Sequence, residues 1–510
     1  MRKISFAVLL VVLCVSARPS SERRISLSDL RDKIEGGWAG QMIGVSFGAP
    51  TEFRFREKIN DGELPKWTID SVANALDQDD LYVDMTFAKV LDEKGLDATT
   101  EDFGAMFRDA RYRLWHANLA ARRALKRGVP AKLAGTPEYN AHANDIDFQI
   151  ESDFIGLMAP GLPRAANDLC WRAGRVMNHG DGIYGGMFVS GMYAAAFFEN
   201  DPRRVVEAGL ASIPAKSPYA QVIADVLRWS RENPGDWRKT WKLIEDKWNR
   251  REPCPEGALR PFNIDAKFNG AYIALGLLYG EGDFWKTMEI STRAGQDSDC
   301  NPSNAVGVLG TMLGYRRIPV EWKQGIPGIS DKKFNFTDFT FPGIVDSTVK
   351  RAVALVQRNG GRLEGDQLVV RTQTPKAAPL AIWDDYGSPL ERIAADRPEW
   401  KWKGDWETRR ILRISSQRNA EAEISFVGTG AILTGPYMST GGKADVYLDG
   451  KLHRTVDVFP DEDSAKTGEA VWHAFRLKNG KHVVRVVVRG EPYADSKGSE
   501  IGIQDLVVFR

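Results

Sequence analysis

Apolar residues recur at helical spacing from residue 25 to about residue 360, and then the rhythm changes. LYVDMTFAKVLDEKG (81–95), DFGAMFRDARYRLWHANLAARRALKRG (102–128), YGGMFVSGMYAAAFFEN (184–200) and YIALGLLYG (272–280) place apolar side chains three and four positions apart. That spacing gathers them on one face of a helix. Gly, Pro and Asn/Asp clusters punctuate the runs, as helix ends require. The pattern predicts an all-α domain over residues 25–360. After QTPKAAPLA (373–381) the alternation has period two, in AEISFVG, AILTG, KADVYLDG, VWHAFRL, KHVVRVVVRG and IGIQDLVVF. Such alternation suits strands with one buried and one wet face. Asp449-Gly450 and Asn479-Gly480 stand between these runs, and tight two-residue hairpins favour both dipeptides. The expected architecture is multidomain: the helical domain, a linker over 361–382, and an all-β, jelly-roll-like sandwich over 383–510.

Composition narrows the function classes. The 510 residues are 43% hydrophobic, enough for more than one core. Lys and Arg number 69 against 68 Asp and Glu, and no long basic run is present. The electrostatic footprint of a nucleic-acid binder is therefore missing. At the start, MRK is basic and ISFAVLLVVLCV apolar, with Val15 and Ala17 small before a cleavage point. Residues 1–17 read as a signal peptide, so the protein is expected to be exported, to the periplasm or the extracellular space. The apolar run is short for a membrane span. Leu13 precedes Cys14 where lipid attachment wants a small residue, so simple export is expected over anchoring. The sparse remaining cysteines (Cys170, Cys254, Cys300) make no disulfide framework. The six histidines show no metal-ligand spacing, and no zinc site is expected.

Carboxylates concentrate in a few short segments. DQDDLYVDMTFAKVL opens a helix with Asp79 and Asp80, and Asp84 follows one turn after Asp80. Acids favour the positive end of a helix dipole, so this segment alone is ambiguous. GQDSDCNPSNAVGVLGTMLGY (295–315) sets Asp297 and Asp299 before an almost wholly apolar helix. Asp299 or Asn301 can cap that helix, with Pro302 just inside it. Capping leaves Asp297 without a task. Carboxylates beside a buried helix are costly unless paired or bound to a cation, and oxygen donors suit Mg²⁺, Mn²⁺ or Ca²⁺. NDIDFQIESD adds Asp145 and Asp147, which a solvated turn would also explain. HGDGIYGG (179–186) reads as a tight turn with His179 facing a cleft or a neighbouring helix. GGWAGQMIGVSFGAPTEF (36–53) combines a small-residue helix, a break at Pro50, and Glu52.

Taken in order, these segments resemble the ADP-ribosylglycohydrolase family, over roughly residues 30–320. GGWAGQMIGVSFGAPTEF is similar to its opening helix and Gly-x-Pro-x-Glu-Phe turn, and DQDDLYVDMTF to its Thr-Asp-Asp-Thr segment. MNHGDGIYGG resembles its Thr-His segment, and GQDSDCNPSNAVGVLGTMLGY its closing Gly-Asp-x-Asp-Thr segment. The resemblance implies an all-α bundle with a cleft holding one or two Mg²⁺ ions. These would bind the vicinal hydroxyls of a ribofuranose whose anomeric bond is cleaved. It carries the metal-ligand role onto Asp79, Asp80, Asp297 and Asp299, and the role of general base or water orienter onto Glu52. Gln78, Asp145, Asp147 and His179 become candidates for substrate contact. Three positions depart from the family pattern: Gln41 and Gln78 replace an aspartate and a threonine, and Cys300 replaces the threonine after Asp299. The tail, with GTGAILTGPYMSTGGKADVYLDG, resembles the galactose-binding-like modules of secreted glycan enzymes.

The expectation is thus an exported, metal-dependent glycosyl hydrolase acting on a ribofuranosyl or related furanosyl unit. Its partner would be a glycan, glycoside or ADP-ribosyl compound, with no nucleic acid and no transmembrane segment. Two alternatives stand beside it: a non-catalytic carbohydrate-binding protein on the same scaffold, and a metal-dependent phosphoester hydrolase.

Overall fold

The computed structural model describes residues 22–249, 254–382, 387–461 and 465–510. The signal-like residues 1–17 lie outside them. A helical region is followed by a β-rich region with several antiparallel sheets. No helix among the described residues is long and apolar enough to cross a membrane.

The helical region is organised around two antiparallel helices, the opening helix Leu27–Gly48 and the closing helix Cys300–Leu313. Glycines decide how closely they approach. A Cβ on Gly36, Gly40, Gly44 or Gly48 would run into the backbone carbonyls of Gly310, Val306, Pro302 and Ser298 respectively. Each glycine lies four residues from the next, so all four share one helix face. The pairing also fixes direction, because the end of the opening helix meets the start of the closing one. Trp38 is fully buried and its indole N–H donates to Thr348 of the Phe341–Arg358 helix (3.1 Å). The N-terminal strand Glu22–Ser26 pairs antiparallel with Gln367–Arg371, which also pairs with Arg362–Glu364. Residues 361–382, read from sequence as a linker, therefore begin with a hairpin docked on the chain's start.

The run at 102–128 is not one helix. It divides into Thr100–Asp109 and His116–Lys126. The intervening Tyr112 and Leu114 are buried, and the Arg122 guanidinium donates to the carbonyls of Ala110 (3.2 Å) and Tyr112 (2.6 Å). Those carbonyls are satisfied by a side chain in place of a helical ladder, so the chain bends there at little cost.

In the β-rich region a five-stranded sheet runs Lys451–Asp457, Gly442–Leu448, Gly480–Pro492, Glu421–Gly428, Lys401–Lys403. A four-stranded sheet runs Lys466–Ala474, Gly430–Tyr437, Asp505–Phe509, Pro389–Ala394. Asp449-Gly450 makes the expected hairpin, with φ of 51° and 79°. Asn479-Gly480 does not, because the strands on either side of it belong to different sheets. In the five-stranded sheet burial alternates as expected, but Gly430–Tyr437 and Asp505–Phe509 are buried at every position. Leu433, Leu506 and Val508 join the core with Ile424 and Val484 of the other sheet. Ile432, Val507 and Phe509 pack on Ala141 and Ala258 of the helical region. The four-stranded sheet is thus a middle layer, covered on both faces.

Ion pairs reinforce this seam. Arg127 reaches Asp457 (2.7 Å) and Asp461 (2.6 Å), and Arg123 reaches Asp457 (3.1 Å). Arg123 also stacks over Tyr437, 4.0 Å from the ring centre. Trp472 is buried and donates to His453 (2.9 Å), while the Tyr437 hydroxyl donates to the Ala470 carbonyl (2.8 Å). Both aromatics are packing residues of the seam.

Candidate functional site

The antiparallel helix pair brings two chain segments together at one end. Past the opening helix, a short turn at Ala49–Thr51 leads to Glu52. The Phe53 N–H donates to the Gln296 carbonyl (2.9 Å), and the Gln296 N–H donates to the Phe55 carbonyl (2.8 Å). The Thr51 and Ser298 hydroxyls are 2.8 Å apart. Gly295 has φ of +86° and packs against the Phe55 carbonyl, which leaves no room for a side chain. These contacts lock Glu52 beside Asp297 and Asp299.

Asp79 and Asp80 lie in the first turn of the Asp79–Lys94 helix, after Gln78. Asp80 is buried and feels the negative charges of Asp299 and Asp79. Both of its carboxylate oxygens lack a hydrogen-bond partner, as does one oxygen each of Asp297 and Asp299. Asp299 occupies the capping position of the closing helix, but its side chain makes no cap hydrogen bond. Capping is therefore not what its carboxylate does. Ligand atoms of Asp297, Asp299 and Cys300 lie within 4.8 Å of one another.

Electrostatics marks the same cluster. Burial pushes Asp297 up to about 8, and Glu52 and Asp80 add repulsion. Asp80 and Asp299 are held well above the carboxylate range by burial first and by neighbouring aspartates second. Glu52 opens onto the cleft, yet the protein packed around it, then Asp299 and Asp79, push it up to about 8. Like charges crowded with unpartnered oxygens make the donor set that a hard dication relieves. The residues present fit Mg²⁺. Cys300 is the exception: burial, then Asp297 and Asp299, push its thiol up, and a protonated thiol is a poor ligand for such an ion.

These side chains, Asp80 excepted, line a cleft of about 700 Å³. Glu52, Gln78, Asp79, Asp147, Asp297 and Asp299 line it, with aromatic surface from Phe53, Tyr82, Trp115 and Phe262. Ile411, Thr467, Gly468 and Gln504 of the β-rich region also line it, so both regions shape the site. Asp147 is held at the start of the His116–Lys126 helix, accepting from the N–H groups of Ala117 (3.2 Å) and Asn118 (2.9 Å). Gln78 donates its amide to Asn74 (2.8 Å). Asp145 does not line the cleft; it is buried against His142 (2.7 Å). His179 also lies outside the lining, near Arg476 and Arg175, and burial pushes it down to about 4. Gln41 is fully buried on the opening helix.

His116 and Glu256 line the cleft as well, 3.2 Å apart. Burial would lower His116, but Glu256, Asp145 and Asp147 outweigh it and push it up to about 10. Sequence reasoning missed both residues. His116 opens a helix and Glu256 lies in a turn, and only tertiary contact brings them together.

Residues 26–360 match the ADP-ribosylglycohydrolase family, the span that contains every acid lining the cleft. No curated protein matches the chain. A solved structure titled ADP-ribosylglycohydrolase-related protein complex is 16% identical, covering 64% of this chain and 98% of that one, with a TM-score of 0.38. The CBM36-1 domain of a multidomain xylanase from the hindgut metagenome of Trinervitermes trinervoides is 12% identical over 23% of this chain and 94% of that one (TM-score 0.18). A family two carbohydrate esterase from Cellvibrio japonicus is 13% identical, over 23% of this chain and 33% of that one (TM-score 0.17). With its acids ordered along the matched span and gathered on one cleft, the chain belongs to the ADP-ribosylglycohydrolase family.

Proposed function

We propose that the protein is a divalent-cation-dependent hydrolase that cleaves the glycosidic bond of a ribofuranosyl or related furanosyl unit. Family membership supports hydrolysis of a glycosyl bond. The observation that carries the finer reading is the set of unpartnered buried carboxylate oxygens on Asp80, Asp297 and Asp299, gathered from two chain segments, with Asp297 and Asp299 lining the cleft that Glu52 faces. Asp79, Asp80, Asp297 and Asp299 would hold Mg²⁺, with Mn²⁺ or Ca²⁺ suiting the same oxygens. A cation held there would supply Lewis-acid polarisation of the sugar and its hydroxyls. Glu52, positioned by the Gln296 backbone, orients water and takes its proton. The aromatic edge of Phe53, Trp115 and Phe262 offers apolar surface to a sugar ring or leaving group. The β-rich region serves as an accessory module of galactose-binding-like type. The signal-like residues 1–17 support a place outside the cytosol.

The phosphoester alternative lacks support in the cleft's cations. The Arg260 guanidinium is engaged by Asp505 (3.2 Å), and Arg56 lies over Phe262 with its Nε donating to the Phe53 carbonyl (2.9 Å). A panel of chromogenic furanosides, ADP-ribosyl compounds and phosphate esters, run with and without chelator, tests the proposal. We expect release from a furanoside or ADP-ribosyl compound that chelator stops and Mg²⁺ restores. Turnover confined to phosphate esters, or indifferent to chelator, would refute it.

A further inference from the structure

A second group of ligating side chains lies between the cleft and the seam. His116, His142 and Asp145 each offer a ligand atom within 4.8 Å of the others. Asp145 Oδ2 is 2.7 Å from His142 Nδ1 and 4.0 Å from His116 Nδ1. Glu256 Oε2, 3.2 Å from His116 Nδ1, puts a fourth donor at hand. A separate observation points to a missing ligand. Asp145 Oδ1 is buried without a hydrogen-bond partner, on a residue that is 0% exposed. Buried polar atoms ordinarily find partners, and such exceptions call for an explanation.

We infer that His116, His142 and Asp145, with Glu256 beside them, form a second metal site for a transition-metal dication of the Zn²⁺ class. The donor chemistry separates it from the aspartate cleft. Imidazole nitrogens favour Zn²⁺ and its neighbours, whereas an all-oxygen set favours Mg²⁺. Two imidazoles and two carboxylates match the four-ligand arrangement of structural zinc. The location gives the site a task. His116 and Glu256 line the cleft, while Glu469 of the Lys466–Ala474 strand comes within 4.0 Å of His142 Nε2. A cation here would fasten the cleft's edge to the β-rich region, with Glu469 orienting an imidazole from outside the ligand set.

The test uses the full-length protein stripped with chelator and then kept in saturating Mg²⁺. Zn²⁺ is titrated calorimetrically into the wild type, Asp297→Asn and His142→Gln, and X-ray absorption at the zinc edge is recorded on the loaded wild type. We expect stoichiometric Zn²⁺ uptake by the wild type and by Asp297→Asn, and affinity weakened roughly 100-fold in His142→Gln. The absorption spectrum should show imidazole and no sulfur. Failure of the folded wild type to take up Zn²⁺ would overturn the inference. So would a sulfur neighbour, which would assign the metal to Cys300 beside Asp297 and Asp299. Should His142→Gln fail to fold by circular dichroism, the wild-type spectrum decides alone.

Discussion

Glu52 and Asp297 stand within one cluster but carry different tasks, so their variants should fail differently. Glu52 is exposed to the cleft and fixed by backbone hydrogen bonds. Glu52→Gln keeps the shape and removes the proton acceptor. It should lower kcat by about 10²–10⁴-fold while leaving Mg²⁺ affinity within about threefold; steady-state kinetics beside calorimetry measures both. Loss of Mg²⁺ binding in this variant would move Glu52 into the ligand set. Asp297 was legible in the sequence because a carboxylate beside an apolar helix demands a reason, whereas the family resemblance singled out Asp79 and Glu52; the structure places all three on one cleft. His116 and Glu256 were not legible, since no local pattern distinguishes a histidine at a helix start from a solvated one.

At the scale of elements, the site depends on how closely two helices pack. A Cβ on Gly44 would stand 2.5 Å from the Pro302 carbonyl, and backbone has little freedom to yield. Gly44→Ala should cost about 1–3 kcal/mol of stability and weaken Mg²⁺ binding, by moving Glu52 relative to Asp297. Gly328→Ala, where an added Cβ meets nothing within 4 Å, is the control and should change neither. Denaturant melts and calorimetry on both variants test the argument, and an unaffected Gly44→Ala would contradict it. The glycine spacing in GGWAGQMIGVSFG announces such a packing face, so this part of the fold could be read in advance. The break at 110–115 could not, because helical periodicity continues across it. The freed carbonyls are captured by side chains: Arg122 takes those of Ala110 and Tyr112, Tyr82 that of Arg113 and Lys466 that of Leu114. Likewise, period-two alternation hides that one sheet is covered on both faces, since its second partner lies far away in sequence.

For the whole molecule, the helical and β-rich regions share one cleft, and the seam between them should respond to acid. Burial alone would raise Asp457, but Arg127 and Arg123 outweigh it and hold its carboxyl below the usual range. A carboxyl depressed on folding contributes stability that is fully present above its unfolded value, about 4, and is lost as pH falls through the folded value. Asp457→Ala should cost about 3 kcal/mol at pH 7, a difference that shrinks below about pH 4; urea melts at neutral and acid pH measure it. A difference independent of pH would show that the seam is held by packing alone. The proposed activity depends finally on a cation among the aspartates. Calorimetric titration of Mg²⁺ into the chelator-treated wild type and into Asp297→Asn tests that most directly. The account predicts saturable binding in the first and none in the second, with activity lost in parallel; no Mg²⁺ binding by the wild type, or undiminished binding by the variant, would contradict it.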